Sequence, residues 1–379
     1  MGPLEGLRIV EIRGIGPGPY AGMLLADLGA EVIVVERAAK PSGVAPPAAH
    51  DINMRGKRSI ALDLKTPLGV ELLLKLLDTA DAMFEGFRPG VAERLGFGPE
   101  VCLERNPRLV YGRVTGWGQS GSLSQAAGHD INYIALTGAL AAIGPQEKPS
   151  VPLNLIGDYA GGSLFLVVGI LAALVSARQS GRGQVVDAAI TDGSAHLMSI
   201  FHTLSTLGMW RPRRESNLLD GAAPFYDVFE TADSRFVAIG AIEPQFFQLL
   251  LDKLQLDPSL ATAQHDVSVW PELRRQIEAT IRTRTQQEWI DRLEGTDVCF
   301  APVLDLNEAS EHPHHRDRNT YINVGDVMQP APAPRFSATP STIPEAPHSE
   351  GADTRAVLES LGLSPDQIAT ALDSGAAFE

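Results

Sequence analysis

The apolar residues of the first 190 positions fall in short, nearly unbroken runs. Longer segments of helical spacing separate them. LRIVEI (7–12), EVIVVER (31–37), SIALDL (59–64), AMFEGF (82–87), LVYGRVTG (109–116) and QVVDAAI (184–190) read as strands. A run that is apolar on both faces suits a parallel strand covered by helices. GIGPGPYAGMLLADLGA (14–30) and TPLGVELLLKLLDTA (66–80) carry the helical spacing between them. The alternation predicts an α/β fold, with residues 1–190 as a large domain built on a parallel sheet covered by helices on both faces.

The stretch YAGGSLFLVVGILAALVSA (159–177) has no charge and is nearly long enough to cross a bilayer. It starts after Asp158 with two glycines and runs into a strand, so a buried core helix is expected, with no membrane span. After residue 190 the pattern changes. TDGSAHLMSIFHTLSTLGMW (191–210) reads as one long helix and RPRRESNLLDGAAP (211–224) as an exposed connection, so 191–224 is expected to be a linker. FYDVFETADSRFVAIGA (225–241) alternates on either side of an Asp-Ser turn, as a hairpin does. With the helical FFQLLLDKL, LRRQIEATIRT and QQEWIDRL it predicts a smaller α+β domain over 225–306. A Pro- and His-rich linker follows at 307–330. Segment 331–379 then becomes helical again and is expected to return to the large domain.

Charge narrows the function. The net charge is −15, which disfavours a nucleic-acid partner because phosphate binding needs a basic face. Residues 1–70 are the exception, with eight Lys/Arg against seven Asp/Glu. A locally basic segment on an acidic protein suits a small anionic ligand. Cys102 and Cys299 form no disulfide framework and no metal motif. Together with an N-terminus that enters a strand directly, and a C-terminal GAAFE that is no peroxisomal address, this leads us to expect a cytoplasmic protein. HPHH (312–315) lies in the Pro-rich linker without a ligand framework, so no metal is expected.

Three stretches carry candidate chemistry. GPGPYA (16–21) satisfies GxGxxA after a strand, with Glu36 twenty residues on, which is the form of a dinucleotide fingerprint. Pro17 and Pro19, however, remove two amide donors that a phosphate turn uses. A plain glycine turn, or close approach to another adenine nucleotide, remains open. Basic residues accumulate near strand ends: Arg37, then Arg55, Lys57 and Arg58, then Lys65, then Arg88 and Arg94. Ligands of α/β sheets bind at strand ends, so this points to a phosphate-rich ligand. Finally, GHDINYIALTG (128–138) puts His129 and Asp130 at the mouth of an apolar helix. A helix N-terminus disfavours imidazolium, and its free amides, including that of Asp130, can hold an oxyanion. Asp158 before the apolar helix and Glu243 in GAIEPQF (240–246) are further acid/base candidates, each equally readable as a cap or a loop residue.

GIGPGPYAGMLLADLGAEVIVVER, RGKRSIALDLK, FRPGVAERLG, GHDINYIALTG, NLIGDYAGG, DGAAPFYDVF, AIGAIEPQF and PAPRFSATP occur in this order over about residues 4–375. Together they resemble the α-methylacyl-CoA racemase family of the class III CoA-transferase superfamily. The resemblance implies an interlocked homodimer, a Rossmann-like large domain made of both chain ends, and no required cofactor, coenzyme A being part of the acyl-CoA thioester substrate. It implies CoA contacts at Arg37, Leu62, Lys65, Gly86, Phe87, Arg88 and Arg94. It also implies a substrate pocket at Ile15, Tyr133, Asn154 and Tyr226. His129 and Asp158 match the two catalytic acid/base residues. Glu243 matches a glutamate that bonds the histidine, and the Asp130 amide would hold the enolate oxygen. Three rival readings are weighed. In a CoA transferase, Asp158 would be a nucleophile. The other two are a non-catalytic acyl-CoA-binding protein and an NAD-dependent oxidoreductase.

Overall fold

A computed structural model describes residues 2–37 and 50–379. The chain divides into two compact units: residues 1–137, 153–197 and 317–379, and residues 138–152 with 198–316.

The first unit is built on β1 (Arg8–Ile12), β2 (Glu31–Glu36), β3 (Lys57–Leu62), β4 (Ala82–Glu85), β5 (Val110–Thr115) and β6 (Val185–Ala189). These strands are all parallel. A short C-terminal strand, Ala377–Phe378, pairs antiparallel with β3, so the order runs from that strand through β3-β2-β1-β4-β5-β6. The order turns back at β1, so the chain leaves β1 and β4 toward opposite sides. In open α/β sheets a crevice opens at such a point, beyond the carboxyl ends of the strands.

Strand side chains alternate between faces. Val10 and Ile12 join Ile33, Ile60 and Leu73 on one face, under helices Pro67–Leu77 and Thr354–Ser360. Ile9 joins Val32, Phe84 and Val110 on the other, under helices Pro17–Asp27 and Phe165–Ser180. Burial on both faces explains the unbroken apolar runs of the sequence. The C-terminal segment docks on β3: Asp353 accepts the Ser59 N–H at 2.8 Å, and Thr354 Oγ1 accepts that of Ala61 at 3.0 Å.

Residues Leu155–Ser180 form one continuous apolar helix, long enough by length and composition to cross a membrane, of which half is buried inside the unit. It is not uniform. Leu155–Leu164 is a π-helix, and only from Phe165 does it become α-helical. Glycines make the wide turn possible. Gly161 packs so closely on the helix Ile190–Leu197 that a Cβ there would lie 2.4 Å from Ser194 Oγ. The expected single helix over 191–210 is instead two, Ile190–Leu197 and Ser199–Thr206, interrupted at Met198.

The second unit has an antiparallel sheet of β7 (Tyr226–Glu230), β8 (Phe236–Gly240) and β9 (Phe300–Pro302). Phe225, Phe229, Phe247, Ile277 and Trp289 form its core with helices Pro244–Leu254, Trp270–Ile281 and Gln286–Leu293. Residues 138–152 join it through Arg214, which donates to the carbonyls of Ala141, Pro145 and Gln146. The histidines of HPHH are engaged locally, His312 with Glu294 at 2.8 Å and His315 with the Ala309 carbonyl at 2.6 Å.

Candidate active site

His129 caps the helix Asp130–Leu136 in extended conformation, so the chain turns sharply into the helix there. Its N–H donates to Asn132 Oδ1 at 3.1 Å, and its carbonyl accepts the Asn132 N–H at 2.8 Å. The ring is exposed, whereas the next residue, Asp130, is buried. Tyr133, one turn on, packs edge-on against Trp117 with centroids 4.8 Å apart, and its hydroxyl donates to the Gly128 carbonyl. Gly116, just past β5, lies flat against the Tyr133 ring, where any Cβ would collide. This ties the helix to the carboxyl end of the sheet.

The π-helix supplies Asp158. Its main-chain N–H donates to Asp130 Oδ2 at 2.7 Å, so the residue after His129 holds the residue before Tyr159. Gly157 makes this approach possible: a Cβ on it would lie 2.4 Å from Asp130 Oδ2. On its other side the Asp158 carboxylate faces Gly16, the first glycine of GPGPYA, which has φ +68. The glycine turn therefore serves a carboxylate. Burial pushes the Asp158 carboxyl above its ordinary range, and the neighbouring Asp130 charge adds to this. A hydrogen bond with Asn154 and the nearness of His129 pull it back down. Thus His129, Asp130, Tyr133, Asn154 and Asp158 are brought together at the carboxyl end of the sheet.

The predicted anion-binding residues divide. Arg37, at the exit of β2, and Lys65, Arg88 and Arg94 are exposed and free to meet a ligand. Gly86 is exposed, and Phe87 is half-buried against Phe97. This loop is braced from below by Glu85, which accepts the Phe87 N–H at 2.6 Å and the Arg113 Nε–H at 3.0 Å. Arg113 also grips Glu93. Burial pushes the Glu85 carboxyl up to about 7, against the opposing effects of those two bonds. Leu62 is fully buried in the core, so only its main chain could meet a ligand. Arg55 and Lys57 correct the sequence expectation. Both are buried, Arg55 bonding Asp27 at 2.5 Å and Lys57 bonding Glu11 at 2.5 Å. They stand at the entry of β3, not at its exit, and hold the fold together. Arg58 is engaged by Glu31 at 2.8 Å.

Ile15 is 80% exposed beside Gly16. Glu243 and Tyr226 belong to the second unit. Glu243 is exposed and caps the helix Pro244–Leu254, its carbonyl accepting the Phe246 and Phe247 amides at 3.0 Å. Tyr226 begins β7, opposite Gly240. Sequence reasoning missed Tyr159, which stacks on Tyr20 at 4.4 Å and lines a cavity of about 400 Å3 with Met23, Leu24 and Ile52. Its proximity to Asp158 in NLIGDYAGG was the available signal.

Comparison with known proteins places the chain in a family. CoA-transferase family III matches residues 4–354. The chain is 44% identical over 369 residues to the α-methylacyl-CoA racemase of Mus musculus, covering 96% of this chain and 95% of that protein. It is 42% identical to the Homo sapiens protein of the same name, over 96% of this chain and 95% of the other. The crystal structure of a CaiB/BaiF family protein from Brucella suis superposes with a TM-score of 0.82 at 25% identity, covering 95% and 99% of the two chains.

Proposed function

The chain belongs to CoA-transferase family III, and within it we propose that the protein interconverts the (R) and (S) forms of 2-methylacyl-CoA thioesters. The observation that carries this reading is the pairing of two acid/base groups at the carboxyl end of the sheet, His129 on a helix cap and Asp158 on the π-helix, locked by the Asp158 N–H bond to Asp130. The likeness to proteins named α-methylacyl-CoA racemase supports the substrate class.

The chemistry follows from the thioester. Its α-hydrogen is weakly acidic, and removing it leaves a planar enolate. Inversion requires a base on one face and a proton donor on the other. One of His129 and Asp158 takes the proton while the other, already protonated, delivers one to the opposite face. The two exchange roles for the other enantiomer. The raised proton affinity of Asp158 suits a group that must both carry and release a proton. The Asp130 amide in the first helical turn has no intrahelical acceptor and is suited to the enolate oxygen. Glu243 would orient His129, supplied by the same chain or a partner. Ile15, Tyr133, Asn154 and Tyr226 would line the acyl site. Arg37, Lys65, Arg88 and Arg94, with the main chain of Leu62 and the Gly86–Phe87 loop, would hold CoA.

No cofactor is needed for this reaction. The strand order, with its reversal at β1, supports the Rossmann-like description of the large domain. A homodimer is part of the proposal. It is supported by the apolar stripe Leu164, Val168 and Val175 exposed along the Leu155–Ser180 helix. A cytoplasmic location remains our expectation. The second reading, CoA transfer with Asp158 as nucleophile, is favoured by the family name and by relatives named as CoA-transferases that are 31–32% identical over most of the chain. Incubation with acyl-CoA and a free carboxylate separates the two: transfer of CoA without α-hydrogen exchange would select the transferase.

A further inference from the structure

We infer that the side-chain carboxylate of Asp130, as distinct from its main-chain amide, is a positioning group that couples the His129 helix to Asp158. The inference rests on the acid/base roles proposed above for those two residues.

Asp130 is 6% exposed, unusual for a carboxylate with no cation bonded to it. Oδ2 accepts the Asp158 N–H at 2.7 Å. Oδ1 is buried and has no hydrogen-bond partner, a costly arrangement. Gly157 gives up a side chain so that this carboxylate can approach. An amide oxygen would accept the same N–H without burying a charge. The charge therefore serves something other than the hydrogen bond.

The surroundings of Asp158 show what that is. His129 faces it from the cap of the helix 130–136, and Asp130 and Tyr133 from that helix, with Arg88 close to Tyr133. Asn154 faces it from its own segment, and the Gly16 turn offers only backbone. Asp130 is the one like charge in this group. It disfavours ionised Asp158, while its hydrogen bond fixes the spacing of Asp158 from His129. One side chain thus sets both the geometry and the proton affinity of the pair.

The full-length protein, labelled with [γ-13C]aspartate, allows the Asp158 carboxyl to be titrated by NMR without substrate, its resonance assigned with Asp158→Asn. Asp130→Asn keeps an acceptor but removes the charge. It is expected to lower the Asp158 midpoint by about one pH unit. The acid limb of kcat/KM for α-hydrogen exchange should move to lower pH by the same amount, with KM unchanged. Asp130→Ala, which also removes the acceptor, should lower kcat about tenfold in both directions. Asp130→Ser provides a second uncharged variant if Asn folds poorly. Superimposable Asp158 titrations in the wild type and the uncharged variants would overturn the inference. Because the titration needs no substrate, it judges the coupling even if the wild type exchanges no α-hydrogen, an outcome that would count against the racemase reading alone.

Discussion

Two pairs of charged residues in the first unit are built in opposite ways. Glu11 and Lys57 are fully buried and bonded to each other, with Lys57 also donating to the Pro19 carbonyl at 2.9 Å. Asp130 and Asp158 are two carboxylates linked only through a main-chain N–H. Both places need a glycine to admit a carboxylate, Gly22 for Glu11 and Gly157 for Asp130. The first pair neutralises itself, so its charges serve the fold. The second leaves like charges side by side, which disfavours the ionised form of Asp158. The two places differ in charge pairing: one carboxylate faces a cation, the other a like charge.

Breaking the first pair should cost most. Lys57→Met strands Glu11 as a lone buried acid and should lose about 3–5 kcal/mol of stability in urea unfolding at pH 7. A loss below about 1 kcal/mol would mean the pair does not carry the glycine turn. Glu85 lies between the two extremes, bonded to Arg113 yet raised to about 7. Its folded pKa lies above the unfolded value, so its contribution is fully present below about 4.5 and is lost as pH rises through about 7. Relative to Glu85→Gln, the wild type should therefore lose up to about 3 kcal/mol across that window. Parallel stability–pH curves for the two proteins would contradict it.

Gly157→Ala sharpens the comparison from the other side. The new Cβ pushes Asp130 and Asp158 apart and should slow α-hydrogen exchange about a hundredfold with little change in melting temperature. Unchanged exchange would show that the spacing of the two carboxylates is irrelevant. The smallest effect is expected at the solvent-exposed end of the series. Arg58→Met removes a half-exposed pair with Glu31 and should change stability by about 0.5 kcal/mol.

Much of this was legible in the sequence, for reasons visible in particular residues. EVIVVE reads as a parallel strand because both faces of β2 are buried. His129 and Asp158 stood out because an ionisable residue directly before an apolar helix is conspicuous, and the fold brings the two near each other. The rest depends on long-range contacts that local pattern does not encode. Arg55 and Lys57 looked like ligand-binding cations because their partners, Asp27 and Glu11, are 28 and 46 residues away. The π-helix was invisible because its side-chain pattern is that of any buried helix. Its Gly161 and Gly162 pack closely on the segment 190–194, again distant in sequence. Residues 138–152 continue directly from the His129 helix, yet they belong to the second unit through Arg214, which no periodicity announces.

The most direct test is proton NMR of (R)- and (S)-2-methylacyl-CoA incubated with the protein in D2O. His129→Ala and Asp158→Ala serve as controls. The account predicts exchange of the α-hydrogen from both enantiomers, convergence on a near-equal mixture, and loss of both in either variant. Retention of the α-hydrogen and of each starting configuration by the wild-type protein would contradict it.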